Sequence, residues 1–168
     1  MNLIAAADKN WAIGKDGGLL YRLPQDMKFF RTTTSGKVVV MGRKTLESFP
    51  GGNPLKNRVN IVLTRNKDYK KDGVLICTDT DELKNELKKH STDDIFVIGG
   101  EEIYKLLLPM CNKAYITRID SVADADAFFP NLDRADGWEI TGMSETITDN
   151  GTDFRFVTYE RTKNHLES

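Results

Sequence analysis

The chain has 168 residues, 39% hydrophobic and 29% charged, which suits one globular domain able to bury a sizeable core. Lys plus Arg total 24 against 25 Asp plus Glu, a balance that argues against a general nucleic-acid surface, which needs clustered positive charge. No apolar run reaches the roughly 18 residues of a membrane span, so none is expected.

Leu3–Ala7 reads as a strand, without the basic region or cleavage site of a signal peptide. The run Ile13-Gly14-Lys15-Asp16-Gly17-Gly18-Leu19-Leu20-Tyr21-Arg22 reads as a loop joining that strand to a helix at Pro24–Thr33. Its glycines allow several backbone states. Leu19 and Leu20 give it apolar weight, which suits a lid closing over a ligand; a surface loop with incidental leucines is the other reading. Lys37–Met41 is a strand and Arg43–Phe49 a short helix; Val59–Thr64 and Val74–Cys77 are strands. Asp81–His90 reads as an amphipathic helix, Ile95–Ile98 as a strand, Glu101–Leu108 as a helix stopped by Pro109, and Ala114–Ile119 as a strand. Trp138–Ser144 and Phe154–Arg161 alternate in polarity and flank the turn signal Thr148-Asp149-Asn150-Gly151.

Strands alternating with helices predict a single α/β domain. The expected core is a mainly parallel sheet of about eight strands, with an antiparallel C-terminal edge strand and about four helices on both faces. The domain is expected over residues 1–163, with a polar tail at 164–168. Cys77 and Cys111 lack disulfide-framework or metal spacing, and two unpaired thiols suit a reducing cytoplasm. His90 and His165 lie in polar stretches and read as solvated, so no metal site is expected.

Asp26 carries the most information. Pro24 suits a first helical turn, and Leu23, Met27 and Phe30 follow helical spacing as an apolar stripe. Asp26 projects onto that stripe, and a carboxylate among apolar groups is costly without a partner. A first-turn Asp favoured by the helix dipole is the plainer reading. Two strand-to-helix junctions share one design: Val38–Met41 into Gly42 and then Arg43, and Ile95–Ile98 into Gly99-Gly100 and then Glu101. Helix N-termini favour phosphate, and strand carboxyl ends collect ligands. Tight turns without a ligand remain open, and neither junction matches GxGxxG or Walker A.

The string Leu3 to Phe30, with Leu-Pro-x-Asp after a glycine-rich loop, resembles dihydrofolate reductase. So do Val40-Met41-Gly42-Arg43-Lys44-Thr45, Ile98-Gly99-Gly100 and Asp126-Ala127-Phe128-Phe129-Pro130, in the family's order and spacing. The resemblance implies Asp26 as the catalytic carboxylate, the only ionisable one beside the pterin, hydrogen-bonded by Thr117, with Tyr21 and Leu19 nearby. Tyr21 stands where the family usually has Trp. Ile4 and Ala5 would line the pterin, with Met27 beside Asp26; Phe30 and Phe49 would sandwich the substrate, with Ile98 and Tyr104 near the reacting rings. Leu55 would pack on the aminobenzoyl ring, and Arg58 would grip a carboxylate of the glutamate tail.

The resemblance further implies NADPH as cofactor. Ala6, Ile13 and Gly14 would line its nicotinamide, with Gly18 and Leu19 in the lid. Gly42, Lys44, Thr45, Gly99 and Gly100 would face its pyrophosphate, with Glu101 and Ile103 on the same helix. Arg43, Thr64 and Arg65, after Leu63, would hold the 2′-phosphate, because Arg forks onto phosphate oxygens. Glu102 departs from members that carry Arg there. Reduction of 7,8-dihydrofolate to tetrahydrofolate is the implied activity, with antifolate inhibitors as further ligands and a cytoplasmic monomer as the expected form. The alternatives are a pyrimidine reductase of riboflavin synthesis and a catalytically silent binding or structural subunit.

Overall fold

The β-branched runs become the centre of one sheet, and the amphipathic segments become helices laid on it. The computed structural model describes residues 1–162. The anticipated 164–168 tail, with His165, lies outside the described residues. Strands β1 (Asn2–Ala7), β4 (Val38–Gly42), β5 (Val59–Leu63), β6 (Val74–Cys77), β7 (Ile95–Gly99) and β8 (Lys113–Ile119) are mutually parallel, in the order β8-β1-β7-β4-β5-β6. The helices are α1 (Pro24–Thr34), α2 (Arg43–Glu47), α3 (Thr80–Leu87) and α4 (Glu101–Leu107).

Residue alternation sorts the core by face. Val38, Val40 and Ile61 pack with Leu83 and Leu87 of α3 and with Tyr104 and Leu107 of α4. Val39, Met41 and Val62 pack with Leu46 of α2, against Phe49, Leu55 and Ile98. On this second face Leu23 joins Ile119 and Phe154. Phe29 stacks on Phe156 at 4.3 Å and fastens α1 to the sheet.

The carboxyl half adds the antiparallel part. Strand β12 (Thr152–Arg161) pairs antiparallel with β8, and β10 (Trp138–Met143) pairs antiparallel with β12 and forms the outer edge. The Asn150-Gly151 turn joins β12 to a short β11 (Ile147–Asp149), not to β10. His90, expected to be solvated, is half-buried in the turn after α3, where its N–H reaches the Leu87 carbonyl at 3.1 Å.

Half of the segment expected to be a loop is strand. Strands β2 (Ala12–Lys15) and β3 (Gly18–Leu19) form a hairpin, and β9 (Ala127–Phe128) pairs with β2 in a small separate sheet. Asp16 (φ 52°) and Gly17 (φ 79°) form its two-residue turn, the left-handed pair that matches strand twist. Asp16-Gly17 was therefore a hairpin signal within the glycine-rich run. Gly14 must be small, because a Cβ there would lie 2.8 Å from the Gly18 carbonyl oxygen.

Candidate active site

Asp26 is brought to the sheet by α1. The helix N-cap, Leu23, has no side-chain cap, so the Asp149 carboxylate from the β11–β12 hairpin accepts from the Gln25 N–H at 2.8 Å. Asp26 then meets β8: Thr117 Oγ1 donates to its Oδ1 at 2.6 Å. Burial raises the Asp26 pKa above its usual value, and the Thr117 bond partly opposes that shift. Thr117 pairs in register with Ala6, and Ile4 points to the same face two residues earlier. Tyr104 donates to the Ile4 carbonyl at 2.7 Å, and its phenol is held neutral by complete burial.

Only Leu23 of the apolar stripe is core. Met27 is 49% exposed and Phe30 half-buried, while Thr34 is the helix's buried residue. Phe49, Leu55 and Ile98 on the same sheet face are also only partly buried. Apolar side chains are thus left partly open around a carboxylate, which is how a ligand site is lined.

Tyr21 does not turn its hydroxyl to Asp26. It donates to Asp8 Oδ2 at 3.3 Å. Asp8 is 0% exposed and also accepts from the N–H groups of Asn10, Ala12 and Ala123. Ile13 and Gly14 lie in β2, and Gly18 and Leu19 in β3. Leu19 is 68% exposed and so not packed down as a lid. The hairpin is tied to the segment before β9: Asp126 N–H donates to the Gly14 carbonyl at 3.1 Å, and Asp16 N–H to Asp126 Oδ2 at 3.0 Å. A Lys15–Asp124 ion pair adds to these.

Leu55 and Arg58 are held together by Asn60, a buried polar residue of β5. Its side chain accepts from the Leu55 N–H and donates to the Leu55 carbonyl, each at 2.9 Å, and donates to the Arg58 carbonyl at 3.1 Å. Arg58 Nη1 donates to Thr34 Oγ1 at 3.1 Å and Nε to the Lys56 carbonyl at 2.8 Å. Burial, and then the nearby Arg31 charge, lower the Arg58 pKa, so the site would welcome an anion.

The two glycine junctions converge. A Cβ on Gly42 would lie 3.1 Å from Ile103 Cγ1, and one on Gly100 would lie 3.6 Å from Thr45 Oγ1. Gly99 has φ 124°, a conformation side chains avoid, and a Cβ there would lie 3.4 Å from Tyr104. Gly100 and Gly42 serve as N-caps without side chains, leaving the first N–H groups of α4 and α2 uncapped by them. Lys44 and Glu102 are exposed at these ends. Arg43 lies 3.8 Å from Glu47 and 5.9 Å from the Tyr69 ring centroid. At the end of β5, Leu63 and Thr64 are half-buried and Arg65 is exposed. This paired, side-chain-free cradle with cations at its rim suits the phosphates of a dinucleotide.

Asp8, Asn60 and Asp149 escaped the sequence reading. Asn60 had a signal, a lone polar residue inside an apolar strand. Asp149 reaches a partner far along the chain and had none, and Asp8 joins the nearby Asn10 and Ala12 to the distant Ala123.

Residues 1–161 match the dihydrofolate reductase family. The chain is 38% identical over 164 residues to the dihydrofolate reductase of Bacillus subtilis (strain 168), covering 96% of this chain and 94% of that one. It is 42% identical over 139 residues to that of Haemophilus influenzae, covering 83% of each. Among solved structures, dihydrofolate reductase from Enterococcus faecalis, complexed with NADP(H) and RAB-propyl, superposes with a TM-score of 0.86 at 36% identity over 96% of each chain. With its sheet order, its Asp26–Thr117 pair and its twin glycine junctions, this chain belongs to the dihydrofolate reductase family.

Proposed function

We infer that this chain reduces 7,8-dihydrofolate to tetrahydrofolate with NADPH. The observation that carries the reading is the partly buried Asp26 carboxylate, bonded to Thr117 and flanked by partly open apolar side chains, on a sheet that ends in two glycine junctions. The pyrimidine reductase and silent-subunit readings are disfavoured by relatives named dihydrofolate reductase over nearly the whole chain.

NADPH, when bound, supplies the hydride for C6 of the substrate. The chain's residues orient and solvate. Asp26 accepts the pterin ring N–H and 2-amino group side by side, and Thr117 fixes the carboxylate and meets that amino group. The raised Asp26 pKa favours a proton near N5. Ile4 and Ala5 border the pterin, and Met27, Phe30 and Phe49 hold its ring system. Leu55 supports the aminobenzoyl ring, and Arg58 binds the glutamate carboxylate.

Ala6, Ile13, Gly14, Ile98 and Tyr104 shape the nicotinamide pocket, with Gly18 and Leu19 closing over it. Gly42, Lys44, Thr45, Gly99, Gly100 and the first turn of α4 (Glu101, Glu102, Ile103) receive the pyrophosphate, the α4 residues through backbone N–H groups and not through their side chains. Arg43, Thr64 and Arg65, beyond Leu63, receive the 2′-phosphate. The functional unit is a cytoplasmic monomer spanning residues 1–163, open to antifolates at the Asp26 site. A spectrophotometric assay of NADPH oxidation with dihydrofolate tests the reading; no dihydrofolate-dependent oxidation would overturn it.

A further inference from the structure

Strand β9 is the edge of the small sheet: Ala12 and Gly14 of β2 pair with it on one side. An edge strand presents N–H groups outward, open to water or to a protein acceptor. The Phe128 N–H finds Glu101, whose Oε1 accepts it at 3.0 Å. Glu101 is the first residue of α4, and its carboxylate is steadied from the next turn by Lys105 at 3.5 Å. One side chain thus runs from the first turn of α4 to the small sheet that holds the β2–β3 hairpin. The same sheet takes its other ties from residues 124 and 126, ahead of β9.

We propose that Glu101 is a positioning residue that couples cofactor binding at α4 to closure of the β2–β3 hairpin. The proposal rests on the NADPH reading above. Its physical content is reciprocal linkage: whatever fixes α4 fixes β9, and a fixed β9 favours the paired state of β2. Glu101 then acts through its carboxylate oxygen on Phe128, and not through contact with substrate.

The test combines backbone hydrogen exchange with steady-state and pre-steady-state kinetics on wild type, Glu101→Ala and Glu101→Gln. In wild type, NADPH should slow exchange across β2, β3 and β9. Glu101→Ala should keep its fold by circular dichroism yet lose much of that NADPH-dependent protection. Its KM for NADPH should rise and its hydride-transfer rate should fall, each by about two- to tenfold, the range one hydrogen bond supports. KM for dihydrofolate should stay unchanged. Glu101→Gln retains an acceptor oxygen and should restore most of the protection and rate. Protection and kinetics unchanged in Glu101→Ala would overturn the proposal, as would a Gln variant as impaired as Ala. Wild type that binds NADPH without slowing exchange also overturns it. Wild type that fails to bind NADPH overturns the cofactor reading instead.

Discussion

Thr117 donates its hydroxyl to Asp26 across 2.6 Å, joining the middle of β8 to the first turn of α1. The bond stabilises the ionised carboxylate, while burial disfavours it, and burial prevails. Asp26 is therefore held closer to protonation than an exposed aspartate.

The shift has a stability consequence. Folded Asp26 has a pKa above the unfolded value of 3.8, so its contribution is fully present below that value and is lost as pH rises through the folded pKa. Asp26→Asn avoids the loss while keeping an acceptor for Thr117. The mutant's Tm should be at or below that of wild type in acid and should overtake it as pH climbs toward neutrality. A Tm difference that does not change with pH would remove the burial argument.

Arg58→Ala should weaken dihydrofolate binding by roughly 2–5 kcal/mol, the usual cost of stranding one partner of a charge pair. NADPH affinity should barely change. Isothermal titration with each ligand separately reads the difference, and equal losses would indicate damage to the fold.

Gly17 and Gly18 should differ. Gly17 occupies the left-handed region at φ 79°, whereas Gly18 is in strand and a Cβ there would meet Lys15 O at an ordinary 3.7 Å. Gly17→Ala should strain the turn and slow hydride transfer or tetrahydrofolate release, and Gly18→Ala should do so much less. Stopped-flow rates for the two variants decide this. Equal effects would show that the turn geometry is not what governs the hairpin.

Arg43→Ala and Arg65→Ala should each lower the preference for NADPH over NADH, since the cofactors differ by the 2′-phosphate. Ratios of kcat/KM for the two cofactors measure it. Unchanged ratios in both variants would take the 2′-phosphate away from the carboxyl ends of β4 and β5.

The parallel sheet was legible because Val38-Val39-Val40 and Ile95-Phe96-Val97-Ile98 are continuous apolar runs, as doubly covered strands require. Asp26 was legible because a carboxylate on an apolar stripe is out of place. The β2–β3 hairpin was obscured by its glycines, which suggested a loop although Asp16-Gly17 marked the turn. Met27 and Phe30 followed core spacing but remain partly open, because periodicity reports which face a residue occupies and not what covers that face. Long-range polar ties such as Asp8–Tyr21 and Asp149–Gln25 bridge 13 and 124 positions, respectively. They depend on tertiary contact, which local pattern does not encode.

The pH dependence of hydride transfer in wild type and Asp26→Asn decides whether Asp26 takes part in the chemistry. Wild type should show a rate governed by a group titrating above the ordinary aspartate value. Asp26→Asn should fold normally, lose that titration, and turn over about 10²–10⁴-fold more slowly at neutral pH, the span typical of an acid–base group. A mutant with a near wild-type rate and an unchanged pH profile would contradict the assignment of Asp26 to the chemistry.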